Sequence, residues 1–228
     1  TRSLQRSTGN SIYTSGFFRL ERRYSNGLSL LLSYTVSKLI EDTAAKTGTQ
    51  YGLPQDGKTF RDLRGLSVQD IPQKLVATYL YDLPFGKGKK WLGTPSGAGQ
   101  KVLDMAVGGW KLSGFTVVQS GYPLQIRQTD NFTGGLGYGN LRPTLVGDYI
   151  NSNGVEAAIG APAAGKPRYL NLDAFKVTPR FEFGTVPQVL PNQRQPRFNQ
   201  TDFAVMKNFN FTERSFLQIR LESSNFFN

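Results

Sequence analysis

The chain has 228 residues and contains neither cysteine nor histidine, which removes disulfides, thiolate nucleophiles, Cys/His zinc sites and every imidazole acid–base scheme. With 25 glycines, 12% aromatic residues and only 2 methionines, it leans toward strands and turns. The net charge of +11 is dispersed over Arg19, Arg22 and Arg23, then Lys87, Lys89 and Lys90, then Arg194 and Arg197, so no dense basic run marks nucleic acid as a partner.

Six strands are expected, near 11–24, 27–38, 73–83, 110–127, 200–209 and 214–226. In the first, Phe18 and Leu20 occupy one parity, and Arg19, Glu21 and Arg23 the other. Ser25-Asn26-Gly27 then reads as a hairpin turn. The second strand has the clearest pattern, with Leu28, Leu30, Leu32, Tyr34 and Val36 alternating against Ser29, Leu31, Ser33, Thr35 and Ser37. That is the two-residue period of a ribbon with one greasy and one wet face. It also has the length of a membrane-crossing strand, about 9 to 11 residues, rather than the shorter globular norm.

A polar, turn-rich connection from Leu39 to Pro72 follows, carrying Glu41, Asp42, Asp56, Arg61, Asp62, Arg64 and Asp70. The third strand puts Leu75, Ala77, Tyr79, Tyr81 and Leu83 on one face, and Pro84-Phe85-Gly86 stops it because proline lacks a ladder donor. Pro84 to Gly109 reads as an exposed excursion at the level of a membrane interface. The fourth strand alternates poorly. The longest connection, Gln128 to about Arg197, is rich in Gly, Pro and Asn. A short turn joins the last two strands, of which the sixth sets Leu217, Ile219 and Leu221 against Gln218, Arg220 and Glu222.

Connection lengths therefore run short, long, medium, long, short. An outer-membrane barrel weaves in that rhythm, with short periplasmic turns and long outer loops. The longest aliphatic run, Leu30 to Leu32, is far below the ~18 residues of a membrane helix, so any crossing is made by strands. Six strands cannot close such a barrel, whose smallest members have about 8. The missing strands are expected elsewhere in a longer protein, from which this chain, lacking a signal peptide, reads as a piece.

Catalytic chemistry finds little support. Neither S-x-x-K nor G-x-S-x-G occurs. Glu41-Asp42 and the Arg61/Asp62/Arg64/Asp70 group read as a solvated loop held by local ion pairs rather than a calcium site. Gly134 to Gly139 lacks the Lys-Ser/Thr of a phosphate loop. No enzyme activity, cofactor or metal is expected. Arg19, Glu21, Arg23, Gln218, Arg220 and Glu222 are the candidates for a polar lumen or a surface that touches a plug. The lipid-facing candidates are Leu28, Leu30, Leu32, Leu75, Tyr79, Tyr81, Leu217, Ile219 and Leu221. Tyr79, Tyr81, Phe85, Trp91, Trp110 and Tyr122 suit an interfacial girdle, with ordinary packing equally open for Tyr79.

Several strings add a resemblance. Lys74-Leu-Val-Ala-Thr-Tyr-Leu-Tyr-Asp-Leu-Pro-Phe-Gly86, Gly108-Gly-Trp-Lys-Leu-Ser-Gly114, Gln119-Ser-Gly-Tyr-Pro123, Asn208-Phe209 with Thr212-Glu213, and Leu217-Gln-Ile-Arg-Leu-Glu222 with Asn225-Phe-Phe-Asn228 occur in that order. Together with Tyr13 to Leu28 they resemble the C-terminal barrel region of TonB-dependent outer-membrane receptors of the Oar-like, carboxypeptidase-regulatory-like-domain group. The resemblance implies a plugged barrel of about 22 strands in the bacterial outer membrane. Such a barrel imports a scarce or large ligand with energy passed on by TonB.

The expectation is therefore an all-β fold in one domain spanning 1–228, an antiparallel transmembrane β-barrel of which about six strands are present, with long extracellular loops. Its expected partners are outer-membrane lipid, a plug domain and TonB through a missing N-terminal part, and an unidentified transported ligand. A soluble β-sandwich binding carbohydrate and a passive porin remain alternatives.

Overall fold

The structure is a computed structural model and describes residues 9–42, 55, 63–91, 93–94, 97–128, 142–150, 170–210 and 215–227. Asp56, Arg61, Asp62, Gly134 to Gly139, Thr212 and Glu213 lie outside them. The elements in chain order are β1 (Ser11–Ser25), β2 (Leu28–Glu41), β3 (Gly65–Leu66), β4 (Gln73–Asp82), α1 (Ala98–Val107), β5 (Trp110–Gln119), β6 (Pro123–Leu124), β7 (Thr144–Leu145), a 3-10 turn (Leu172–Ala174), β8 (Phe175–Lys176), β9 (Leu190–Arg194), β10 (Phe198–Asn210) and β11 (Phe216–Ser223).

The main sheet runs β1-β2-β4-β5-β10-β11, with β3 paired to β2. The β2–β3, β2–β4, β4–β5, β5–β10 and β10–β11 ladders are antiparallel. β1 and β11 are its two edges, so the barrel is not closed among the described residues. An open edge inside hydrocarbon would leave backbone groups unpaired at several kcal/mol each, by order of magnitude. No described helix is long and apolar enough to cross a membrane.

Local chemistry sets the strand ends. Asn26 and Gly27 both take positive φ, 52° and 82°, which the tight β1–β2 hairpin demands of both central residues. Gly27 has a second reason to lack a side chain, since a Cβ there would lie 2.9 Å from the Asp82 carbonyl oxygen.

One strand bound needs correction. The fourth strand ends at Gln119 and does not reach Arg127, because the chain turns at Gly121. Tyr122 there accepts a hydrogen bond from the Gln195 amide at 2.8 Å, and Pro123–Leu124 pairs with β9. The exposed excursion from Pro84 to Gly109 contains α1. The long connections also carry structure of their own.

Contacts divide the chain into two compact units. One comprises residues 16–36, 73–119 and 197–228, and the other 1–15, 37–72 and 120–196. The first holds most of the main sheet. The second has a small core in which Leu124, Leu170, Val186 and Leu190 are buried, with Ile126, Leu145, Tyr149 and Phe175 packed around them. Tyr149 stacks on Phe175 at 6.1 Å between ring centroids.

Candidate functional site

Strand register decides which side chains share a face. Leu28, Leu30, Leu32 and Tyr34 stand opposite Tyr81, Tyr79, Ala77 and Leu75. These in turn face Leu112, Gly114, Thr116 and Val118 of β5. The ladder continues through Val205 and Phe203 to Leu221 and Ser223, and through Lys207 and Phe209 to Ile219 and Leu217. All nine residues expected to meet lipid thus lie on one face of the sheet.

The opposite face carries Ser29, Ser33 and Thr35 of β2 and Lys74, Thr78 and Asp82 of β4. Lys111 and Ser113 of β5, Asp202 of β10, and Gln218, Arg220 and Glu222 of β11 join it. Charge separates the faces sharply in these ladders. Lys74, Asp82, Lys111, Asp202, Arg220 and Glu222 are on one side, and Lys207 is the single charge on the other. Each ladder connects neighbours across only about 4.8 Å, so alternation is transmitted from strand to strand with little freedom.

The polar face holds a groove of about 500 Å³ lined by Ser29, Thr78, Ser113, Asp202, Arg220 and Glu222, among others. Arg220 is ion-paired with Glu222 two residues along the strand. Gln218 donates to Asn208 Oδ1 at 2.8 Å. The other half of the expected polar set, Arg19, Glu21 and Arg23, sits on the exposed edge strand β1 and is not on this face: Tyr24 of β1 reaches Asp82, so alternation puts these three odd-numbered residues on the side of Leu28 and Leu30. There Glu21 pairs with Arg19 at 3.0 Å and with Arg23 at 3.7 Å.

Toward the short-turn end of this face, Asp82 is buried among three donors. Tyr24 donates its hydroxyl to Oδ2 at 2.6 Å, Lys89 approaches the same oxygen at 3.2 Å, and Lys111 lies 3.4 Å from Oδ1. No sequence motif marks the cluster, because its members are separated by up to 87 positions and come together only through the strand order β1-β2-β4-β5.

The second unit is held by buried polar groups. Gln55 accepts the backbone N–H groups of Arg142 and Gly184 at 3.1 and 3.2 Å and donates to the Gly184 carbonyl at 3.0 Å. Thr178 donates to the Arg142 carbonyl at 2.8 Å. Among the described acidic loop residues, Asp70 departs from the expected solvated loop, whereas Asp42 stays at the surface. Asp70 is buried and paired with Arg194, Glu41 accepts from the Ser67 hydroxyl at 2.6 Å, and Asp42 accepts from the Asn10 amide and side chain. Those two Asn10 hydrogen bonds hold the Asp42 carboxyl below its ordinary value. No group of three or more acidic side chains among the described residues could hold a metal ion.

Long antiparallel strands whose β2-β4-β5-β10-β11 ladders gather nearly all their charge on one face and apolar side chains on the other are the pattern of a membrane-barrel wall. The outer membrane beta-barrel domain family matches residues 1–228, and the chain belongs to that family. Its place is accordingly the bacterial outer membrane. No curated protein and no solved structure matches the chain.

Proposed function

We propose that the chain is part of the barrel of a TonB-dependent outer-membrane receptor of the Oar-like group, importing a scarce or large ligand and performing no chemistry itself. The face bearing Leu30, Tyr79 and Ile219 meets lipid. The face bearing Arg220 and Glu222 lines the lumen, where a plug domain from elsewhere in the parent protein would touch it. The long connections, 42–72 and 120–197, are the outer loops that contact ligand.

The observation that carries this reading is the core within those connections. In the described part of those connections Leu124, Leu170, Val186 and Leu190 are buried together, and a packed base of this kind favours specific capture, because it lowers the ordering entropy lost on binding. The ordered strings of the sequence point the same way.

Ligand-dependent growth of cells expressing the full-length protein, compared with and without TonB, is the test. Uptake that stops without TonB supports the receptor. Uptake that persists, together with open conductance in planar bilayers, would instead establish a passive pore.

A further inference from the structure

The connection between β4 and β5 contains a helix that is inside out for a protein in water. Asp104 of α1 turns toward the chain, where its Oδ1 accepts the Lys87 backbone N–H at 2.7 Å. A Cβ on Gly86 would stand 2.9 Å from that oxygen, so the approach requires glycine there. Val102, Met105 and Ala106 share a stripe at i, i+3 and i+4, and all three are exposed, Val102 to 68% and Met105 to 64%. Leu103 beside them is 47% exposed. An amphipathic helix in a water-soluble protein buries that stripe.

The C-terminal end of α1 is fastened to the apolar face of the sheet. Lys207, on that face, is 5% exposed and directs its ammonium to the carbonyls of Ala106, at 3.2 Å, and Gly108. Its Nζ also lies 5.3 Å from the Trp110 ring centroid and 5.1 Å from that of Phe209. Trp110 in turn donates its indole N–H to the Ala106 carbonyl at 3.0 Å. The negative end of the helix dipole thus meets a cation that the apolar face could not otherwise accommodate. Ala106, a member of the exposed stripe, is in this way tied to the apolar face.

Basic and aromatic residues flank the helix. Lys87 and Lys90 are exposed, and Trp91, 55% exposed, has the Lys90 ammonium 5.7 Å from its ring centroid. Trp beside Lys is the composition of a bilayer interface, where the ring takes the headgroup level and the ammonium meets phosphate.

We propose that α1, together with Trp91, is an interfacial anchor lying in the phospholipid headgroup layer at the short-turn end of the barrel. Val102, Leu103 and Met105 enter the acyl boundary, and Lys87 and Lys90 engage headgroup phosphates. The helix locks over Lys207, so the anchor also completes the lipid face. This rests on the apolar face being the lipid face, and not on the receptor reading.

The 228 residues contain no cysteine, so single-cysteine variants of the full-length protein can carry an environment-sensitive fluorophore at chosen points of this region. Val102→Cys, Met105→Cys, Gln100→Cys and Leu32→Cys are reconstituted in vesicles of phosphatidylethanolamine and phosphatidylglycerol. Lipids brominated near the carbonyl end of the acyl chain should quench the labels at 102 and 105 and spare the one at 100, on the polar side of α1. Lipids brominated deeper should quench the label at 32. Quenching at 32 with none at 102 and 105 overturns the anchor and leaves the lipid face standing. Silence at all four positions overturns both.

Discussion

Arg194 closes on Asp70 across 124 positions of sequence. Its Nη2 donates to Asp70 Oδ2 at 2.6 Å, and its Nη1 donates to the Asp70 and Gly121 carbonyls at 3.0 and 3.3 Å. The other Asp70 oxygen accepts the Leu39 N–H at 2.7 Å. One carboxylate therefore ties the end of β2 to β9. Arg194→Ala would leave that carboxylate buried without its partner, at a cost of about 3 to 5 kcal/mol. Asp70→Asn keeps an acceptor for Leu39 and should cost less. Hydrogen exchange at the Leu39 amide reads both, and equal protection in wild type and Arg194→Ala would refute the coupling.

Tyr79 lays its ring over Gly114, the residue directly opposite it on β5. Any Cβ at position 114 would occupy the space of the phenol ring. Gly114→Val should therefore destabilise the sheet by about 1 to 3 kcal/mol through overpacking. Tyr79→Ala should recover part of that loss, so a double-mutant cycle in urea unfolding from lipid vesicles would show coupling. Additive losses would mean that the ring moves aside freely.

Gln55 satisfies two backbone N–H groups and one carbonyl in the loop unit. Gln55→Ala leaves these groups without that partner, at about 1 to 3 kcal/mol for each one that water cannot reach. Limited proteolysis should then cut the long connection faster while the strands stay intact. Unchanged cleavage would show that the loop core stands without this residue.

The Asn10–Asp42 contact carries a pH dependence with a definite sign. Its carboxyl titrates below the ordinary aspartate value because two Asn10 donors favour the charged form. A group whose folded pKa is depressed adds stability above its unfolded pKa, about 3.9, and loses it as pH falls through the folded value. The Asn10 amide resonance should therefore stay constant down to about that pH and shift only below it. Asp42→Asn should abolish the titration, and a midpoint above the ordinary value would contradict the assignment.

Neighbouring residues in β2 separate the two faces. Leu30→Arg puts a charge on the proposed lipid face and should cost about 2 to 4 kcal/mol if the site lies near the midplane, less toward an interface. Leu31→Arg adds the same charge to the polar face and should be tolerated. Yield of folded protein in outer-membrane fractions checks the pair, and equal yields would remove the basis for assigning lipid to the Leu30 face.

The two-residue period of β2, β4 and β11 was legible because a half-exposed strand must alternate, whatever stands next to it. So were the Asn26-Gly27 turn and the rhythm of connection lengths. The early end of β5 was not, because Gly121 is recognisable as a turn only once β9 is placed beside it. The helix α1 also escaped notice. Its apolar residues do not point into a protein core, and the residue that explains its position, Lys207, lies about a hundred positions away.

By itself the sequence determined which residues alternate, where strands must stop and which catalytic chemistries are impossible, because these follow from side-chain type and backbone restriction over a few neighbouring positions. Only the tertiary structure decided that Lys207 would be quenched by a helix end, that Asp70 would find Arg194 and that the connections would build a core. Those outcomes depend on register between distant strands, and a shift of one residue in that register would turn every side chain to the other face.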